Sequence, residues 1–215
     1  MSGATRLILV RHGESRWNVE ERYQGHADSG LTAVGIEQAE AAAKVLKARF
    51  GRPDLVVSSD LPRAWDTAQA FLRLAGGAAE RDPRLRESDV GDWAGRTFTE
   101  IAAEYPDVLA EAARGGDPRR GGGETFTELR RRVWAALVDI AEQAGPGRSV
   151  MVFCHGGPIR VAAAAALGIP EPGHLAFAPP VNTSVTVIDY GRERGNAVVE
   201  YNAPTAWAAD ATRTD

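Results

Sequence analysis

The sequence predicts a single-domain α/β fold, a three-layer α/β/α sandwich around a mainly parallel central sheet. Three observations predict it. Short apolar runs alternate with longer stretches of helical period along the 215 residues, the pattern of strands joined by crossover helices. The runs at 7–10 and 149–154 are continuously apolar, as for strands buried on both faces. Both stop abruptly, at Arg11-His12-Gly13 and at His155-Gly156-Gly157.

In order, Leu7–Val10 reads as the first strand. Thr32 is placed to cap a helix over Val34–Phe50, which Gly51 and Pro53 close;. Asp54–Ser58 reads as a strand, and Pro62–Leu74 as a helix ending at Gly76-Gly77;. Thr97–Tyr105 is a short helix stopped by Pro106, with a further helical stretch to Ala113. The glycine-rich run Arg114–Gly123 must be a loop;. Glu124–Gln143 carries Phe126, Leu129, Val133, Ala136, Leu137 and Ile140 at helical spacing;. Ser149–Cys154 is the strongest strand pattern, and Pro158 suits the first turn of the Ala-rich helix running to Leu167;. Ser184–Tyr190 and Ala197–Tyr201 alternate and read as strands joined through Gly191–Gly195;. With no internal repeat and no linker, one domain is expected over residues 1–203. A small, polar tail, 204–215, is expected to be disordered.

Composition narrows the function classes. Apolar residues make up 44%, charged residues 25%, and the net charge is −4, which argues against a general nucleic-acid partner;. No run of 18 apolar residues offers a membrane span, and the start lacks the apolar core of a signal peptide;. The single cysteine, Cys154, excludes an internal disulfide framework;. A cytoplasmic protein is expected, with no nucleic-acid and no membrane partner. The 23 Arg against 2 Lys, with 37 Ala, read as codon bias before chemistry.

In open α/β sheets, ligands sit beyond the carboxyl ends of the strands. His12 and His155 stand at two such ends, each followed by a glycine that allows a tight turn or a close approach;. Arg11 precedes the first, and Arg63 begins the helix after a third strand. A lone histidine of this kind is ordinarily a turn residue, and a lone arginine a solvated charge. Together they describe a pocket for a dianion, with guanidinium forks matched to phosphate oxygens.

Leu9-Val-Arg-His-Gly-Glu-Ser-Arg-Trp-Asn18 resembles the signature of the histidine phosphatase superfamily, to which phosphoglycerate mutases and many small phosphatases belong. Arg22-Tyr-Gln-Gly25, Leu31-Thr32 and Gly35 continue that block. Ser58–Ala68, Leu85–Gly95 and Cys154–Gly157 resemble the later ones, so the likeness covers most of the chain. It implies His12 as the nucleophile, Arg11, Arg63 and His155 as phosphate holders, and Glu87 as proton donor to the leaving oxygen. It further implies phosphate or substrate contacts at Asn18, Gln24, Gly25 and Gly156. Asp89 is a rival for Glu87, and plain loop capping is an alternative for Asn18 and Gln24.

The resemblance leans to the phosphatase branch. Residues 155–157 read His-Gly-Gly where mutases usually have His-Gly-Asn, the segment after Glu87 is short, and Ser88 and Val90 stand where mutases have Arg and Tyr. Gly30 and Ala94 replace a frequent Pro and Glu away from the chemistry. Ser58–Leu61 and Gly91–Trp93 are similar to the glucosyl-3-phosphoglycerate phosphatase group. The expected activity is a metal-independent phosphomonoesterase acting through a phosphohistidine on a small phosphorylated metabolite, with no cofactor and no metal. A phosphoglycerate mutase and a phosphoprotein- or phosphohistidine-binding signalling protein are the alternatives. A homodimer is left open. Cys154 reads as a buried structural thiol, and His26 and His174 lack paired ligand spacing;. Trp17, Trp65 and Trp93 could equally wall the pocket or pack the core. Arg114, Arg119 and Arg120 could form a solvated face or a lid over an anionic substrate.

Overall fold

The computed structural model describes residues 3–191 and 195–205. Six strands form one sheet: β1 (Thr5–Arg11), β2 (Leu55–Ser58), β3 (Glu80–Arg81), β4 (Ser149–Cys154), β5 (Val185–Tyr190) and β6 (Ala197–Ala203). Their order is β3-β2-β4-β1-β5-β6. β1, β2, β3 and β4 pair in parallel, while β5 runs antiparallel to both β1 and β6. The mainly parallel sheet is therefore present, with its one reversed strand on the β1 side.

The helices are α1 (Arg16–Val19), α2 (Ala33–Phe50), α3 (Pro62–Ala75), α4 (Phe98–Glu104), α5 (Pro106–Ala113), α6 (Phe126–Ala144) and α7 (Gly156–Ala166). Alternation along β1 and β4 divides the core between two faces. Leu7, Leu9, Val150, Val152 and Cys154 pack against Leu129, Val133 and Leu137 of α6 and Ile159 and Ala162 of α7. Ile8, Val10, Met151 and Phe153 pack against Ala42 and Leu46 of α2 and Ala68 and Phe71 of α3. These are the three layers the sequence predicts.

Local chemistry sets the helix starts. Thr32 caps α2 by accepting the Gly35 N–H, and Thr125 caps α6 through a box with Glu128;. α7 opens at Gly156, two residues before Pro158, because His155 already has extended backbone and leaves the first turn to the two glycines. α1 and β3 carry no sequence signal. α1 is four residues held by a capping box between Ser15 and Asn18, and β3 is an exposed two-residue edge. Both are too short to show a period. Thr205 is buried and its hydroxyl meets that of Thr183. From residue 206 on, the expected tail lies outside the described residues.

Candidate active site

Register alone brings the two histidines together. In the parallel ladders Arg11 lies opposite Cys154, and Ser58 opposite Phe153. The next residue of each strand is His12, His155 or Ser59, side by side at the carboxyl rim. The ladder continues one step, His12 N–H donating to Cys154 O at 3.1 Å and Ser59 N–H to Phe153 O at 2.9 Å. The two imidazole centroids are 5.2 Å apart.

His12 Nδ1 lies 2.7 Å from Gly13 O. A carbonyl only accepts, so Nδ1 carries the proton and the neutral ring keeps its lone pair on Nε2. His155 Nε2 sits 2.8 Å from Ser59 Oγ, while its buried Nδ1 has no partner among the described residues.

Two guanidiniums complete this end of the site. Arg63 is 1% exposed and donates to Gly25 O at 2.9 Å, Ala27 O at 2.8 Å and the Asp28 carboxylate at 3.0 Å. Arg11 donates from Nη1 to Pro180 O. In both, Nε is buried and unpartnered among the described residues. Three buried nitrogens without a partner among the described residues, Arg11 Nε, Arg63 Nε and His155 Nδ1, thus lie on groups whose charge or ring acts on His12. Buried polar groups in native proteins are otherwise almost always paired.

Burial first, then the charges of Arg63 and Arg11, hold His12 well below the ordinary histidine range, with the bond to Gly13 opposing. His155 is lowered in the same way, by burial and then by Arg63, His12 and Arg11. Both imidazoles are therefore neutral in the folded protein at neutral pH. Unfolding returns them to an ordinary value of about 6.5, so stability is complete above that pH and falls as the unfolded chain takes up protons below it. Each buried neutral ring costs about 1.4 kcal/mol per pH unit in that window. Melting temperature is thus expected to drop clearly between pH 7.5 and pH 5.5. A flat profile over that interval would show that these rings protonate in place.

Glu87 approaches from the loop beyond β3. Its carboxylate accepts from Ser88 N–H at 2.8 Å and from Gly157 N–H at 3.2 Å, at the start of α7. A Cβ at position 157 would stand 2.2 Å from Glu87 Oε1, which accounts for the second glycine of His155-Gly-Gly. The backbone of Glu87 is tied down as well. His26 Nε2–H donates to Glu87 O at 3.0 Å, and Arg132 donates to the same oxygen at 3.3 Å. Arg132 also binds Arg84 O at 2.7 Å and pairs with Glu124 at 2.6 Å. Asp89 is occupied elsewhere, its carboxylate capping its own turn through Gly91 N–H.

Asn18 Oδ1 accepts from the N–H of Ser15, whose hydroxyl lies 2.9 Å from both Asn18 Oδ1 and Gln24 Oε1 and gives its one proton to either of them in turn;. This leaves the amide nitrogens of both side chains uncommitted among the described residues. Gly25 supplies a carbonyl to Arg63. A Cβ on Gly156 would lie 3.8 Å from Arg11 Nε, so that glycine borders the pocket directly. Ser59, Asn182, His26 and Arg132 were not singled out by sequence reasoning as site residues. Asn182 Nδ2 donates to His12 O at 3.0 Å. These residues act mainly on backbone oxygens, which leave no spacing signature; only Ser59 lay inside a recognised block.

Trp93 is buried with Ile101 against Tyr23 and Tyr105, a core role, and Arg81 stacks on Trp65. Cys154 is buried, which pushes its thiol up. The Arg114–Gly123 loop is anchored by backbone bonds, Asp92 N–H to Gly121 O and Glu124 N–H to Asp89 O, both 2.8 Å. On it Arg119 pairs with Glu128 in solvent, Arg114 is exposed, and Arg120 turns inward onto Phe126.

Comparison with known proteins shows the family. The family model of the histidine phosphatase superfamily (branch 1) matches residues 7–204. A glucosyl-3-phosphoglycerate phosphatase of Mycolicibacterium vanbaalenii is 40% identical over 173 residues, 77% of this chain and 75% of the relative. A metal-independent phosphoserine phosphatase of Arabidopsis thaliana is 38% identical over 162 residues, 74% of this chain and 67% of the relative. The solved structure of a mycobacterial glucosyl-3-phosphoglycerate phosphatase in complex with VO3 superposes with a TM-score of 0.83 at 34% identity, covering 93% of this chain and 99% of that one. With a matching model over nearly the whole chain and relatives of this identity, the protein belongs to the histidine phosphatase superfamily, branch 1.

Proposed function

We propose that the protein is a metal-independent phosphomonoesterase that hydrolyses a small phosphorylated metabolite through a phosphohistidine at His12. The observation that carries this reading is the set of three orphaned buried nitrogens beside a histidine whose Nε2 lone pair is free. Such a site provides a nucleophile and a preorganised positive field together. The relatives are named for glucosyl-3-phosphoglycerate and phosphoserine, which are small phosphorylated metabolites.

In the first step the Nε2 lone pair of His12 attacks phosphorus, and the bond from phosphorus to the ester oxygen breaks. Glu87 gives its proton to that oxygen. Arg11 and Arg63, with His155, hold the equatorial oxygens over which the transition state spreads its charge. In the second step water attacks the phosphohistidine and Glu87 takes a proton from it, releasing inorganic phosphate and restoring His12. The bond of Nδ1–H to Gly13 fixes the ring throughout. The buried, unpaired Cys154 suits a reducing cytoplasm, which we take as the compartment;. No helix among the described residues is long and apolar enough to cross a membrane.

Leaving-group dependence tests the role of Glu87. Glu87→Gln is expected to reduce kcat/KM for an alkyl phosphate about 10²-fold or more, and for p-nitrophenyl phosphate far less. The aryl oxygen departs without a proton. Asp89→Asn, whose carboxylate serves its own turn, is the control. Equal losses on both substrates for Glu87→Gln would remove it as the acid, and a selective alkyl loss for Asp89→Asn would transfer the role.

A further inference from the structure

His155 is fully buried, and among the described residues its ring makes one hydrogen bond, between Nε2 and Ser59 Oγ at 2.8 Å. Which of the two atoms holds the proton follows from the other contact of that hydroxyl. Ser59 is fully buried as well, and its oxygen accepts the Leu61 N–H at 3.3 Å, within the turn between β2 and α3. A hydroxyl has one proton to give and two lone pairs to receive with. Among the described residues no carbonyl or carboxylate meets Ser59 Oγ, so His155 Nε2 is the one acceptor within its reach.

The two neutral tautomers of His155 are unequal for this reason. With the ring proton on Nε2, the Ser59 hydroxyl proton is stranded in the interior without an acceptor. With the ring proton on Nδ1, Nε2 accepts from Ser59 and the hydroxyl is satisfied. A buried donor left unpaired is costly, so the second arrangement prevails. The proton therefore sits on Nδ1, the nitrogen that has no partner among the described residues. Burial first, then the charges of Arg63, His12, Arg11 and Arg132, keep the ring neutral. His12 is the complement: its Nδ1–H is spent on Gly13 O, and Nε2 is bare. The two rings, 5.2 Å apart, thus carry their proton on the same atom and offer the pocket opposite ends, a lone pair on His12 and a donor on His155.

We propose that Ser59 is a positioning residue that locks His155 as the Nδ1–H tautomer, so that a neutral imidazole donates to a phosphoryl oxygen while His12 attacks phosphorus. This rests on the phosphatase reading above, which supplies the anion. The tautomer of a histidine is set by the hydrogen bond of its other nitrogen, and here that bond comes from Ser59;. The opposite tautomer would turn a lone pair of Nδ1 toward the anion and repel it. A donor fixed beforehand takes up no proton on binding and needs no reorganisation as charge spreads over the transition state. The backbone carrying the hydroxyl is pinned in turn, Ser59 N–H donating to Phe153 O at 2.9 Å and Ser58 Oγ to Ser59 O at 2.8 Å.

The NMR shifts of the ring nitrogens at neutral pH read the tautomer directly, with the His155 signals assigned by their loss in His155→Gln. Wild type is expected to show a pyrrole-type Nδ1 and a pyridine-type Nε2 at His155. The reverse pattern, or the two pyrrole-type nitrogens of a charged ring, overturns the proposal, and this measurement stands even if the next variant fails to fold. Ser59→Ala is expected to populate both tautomers and to raise the dissociation constant for inorganic phosphate about tenfold or more. A His155 that keeps its proton wholly on Nδ1 in the folded variant, or phosphate binding that does not weaken, removes Ser59 as the cause. Phosphate release from p-nitrophenyl phosphate by wild type separates the two levels. If it occurs while the proton lies on Nε2, only the proposal fails; if it never occurs, the phosphatase reading fails, whatever the tautomer.

Discussion

Replacing His12 by alanine is expected to lower turnover by about 10⁴-fold or more, the scale on which removal of a covalent nucleophile acts. The protein is nevertheless expected to fold. The backbone at this position is held by Cys154 O and by Asn182 Nδ2, neither of which needs the imidazole. The ring itself is buried and must stay neutral to remain so. Its removal should therefore soften the loss of stability below pH 6.5 that the wild type shows. The decisive measurement is rapid alkaline quenching with a phosphoryl-labelled substrate, since phosphoramidates are acid-labile. Wild type should acquire label on His12 and the variant none. A variant retaining more than about 1% of turnover would place the nucleophile elsewhere.

Arg63→Ala is expected to fail in two ways at once. Loss of a preorganised donor to the developing charge costs about 3 kcal/mol or more of transition-state stabilisation. The same substitution strips the carbonyls of Gly25 and Ala27 and the Asp28 carboxylate of their partner. Removing one member of a buried pair destabilises by about 3–5 kcal/mol, so the melting temperature should fall together with kcat/KM. Arg63→Lys separates the two effects. An ammonium can keep Asp28 company but cannot reach two carbonyls and still present a side edge to phosphate. Stability should recover more than activity. Wild-type kcat/KM in the lysine variant would place Arg63 outside the phosphate site.

The fold was legible where hydrophobic period ran long enough to register. The continuous runs ending at Arg11 and Cys154 marked two neighbouring strand ends, and the ladder that aligns those residues then placed His12 beside His155 without further information. Thr32 and Pro62 stand where helix starts need them. The four residues of α1 and the two of β3 lie below that threshold. The site was legible for residues that carry charge or imidazole at a strand end. It was not legible for those that hold them. Arg132 reaches Glu87 O across 45 positions of sequence, and Asn182 reaches His12 O across 170. A contact from a side chain to a distant carbonyl requires no particular spacing. For the same reason, the sequence left open whether Arg120 faces solvent, and only the stack on Phe126 decides it.

The anchoring of the glycine-rich loop limits how this protein could be re-engineered. A Cβ at Gly91 would stand 1.9 Å from Gly121 O, one at Gly121 would stand 2.2 Å from Val90 O, and one at Gly123 would stand 2.3 Å from Asp89 O. At positions 91, 121 and 123 the two segments touch backbone to backbone, like the teeth of a closed zip, with no room for a side chain. A library randomised across 114–123 would therefore lose nearly every clone altered at the last few positions. Diversity would survive best at 118–120, because upstream Gly115 is held at φ 91° and a Cβ at Gly116 would already stand 2.6 Å from Glu111 Cγ. Variation in this loop should accordingly be accepted as insertion or deletion ahead of the zip more readily than as exchange of residues within it.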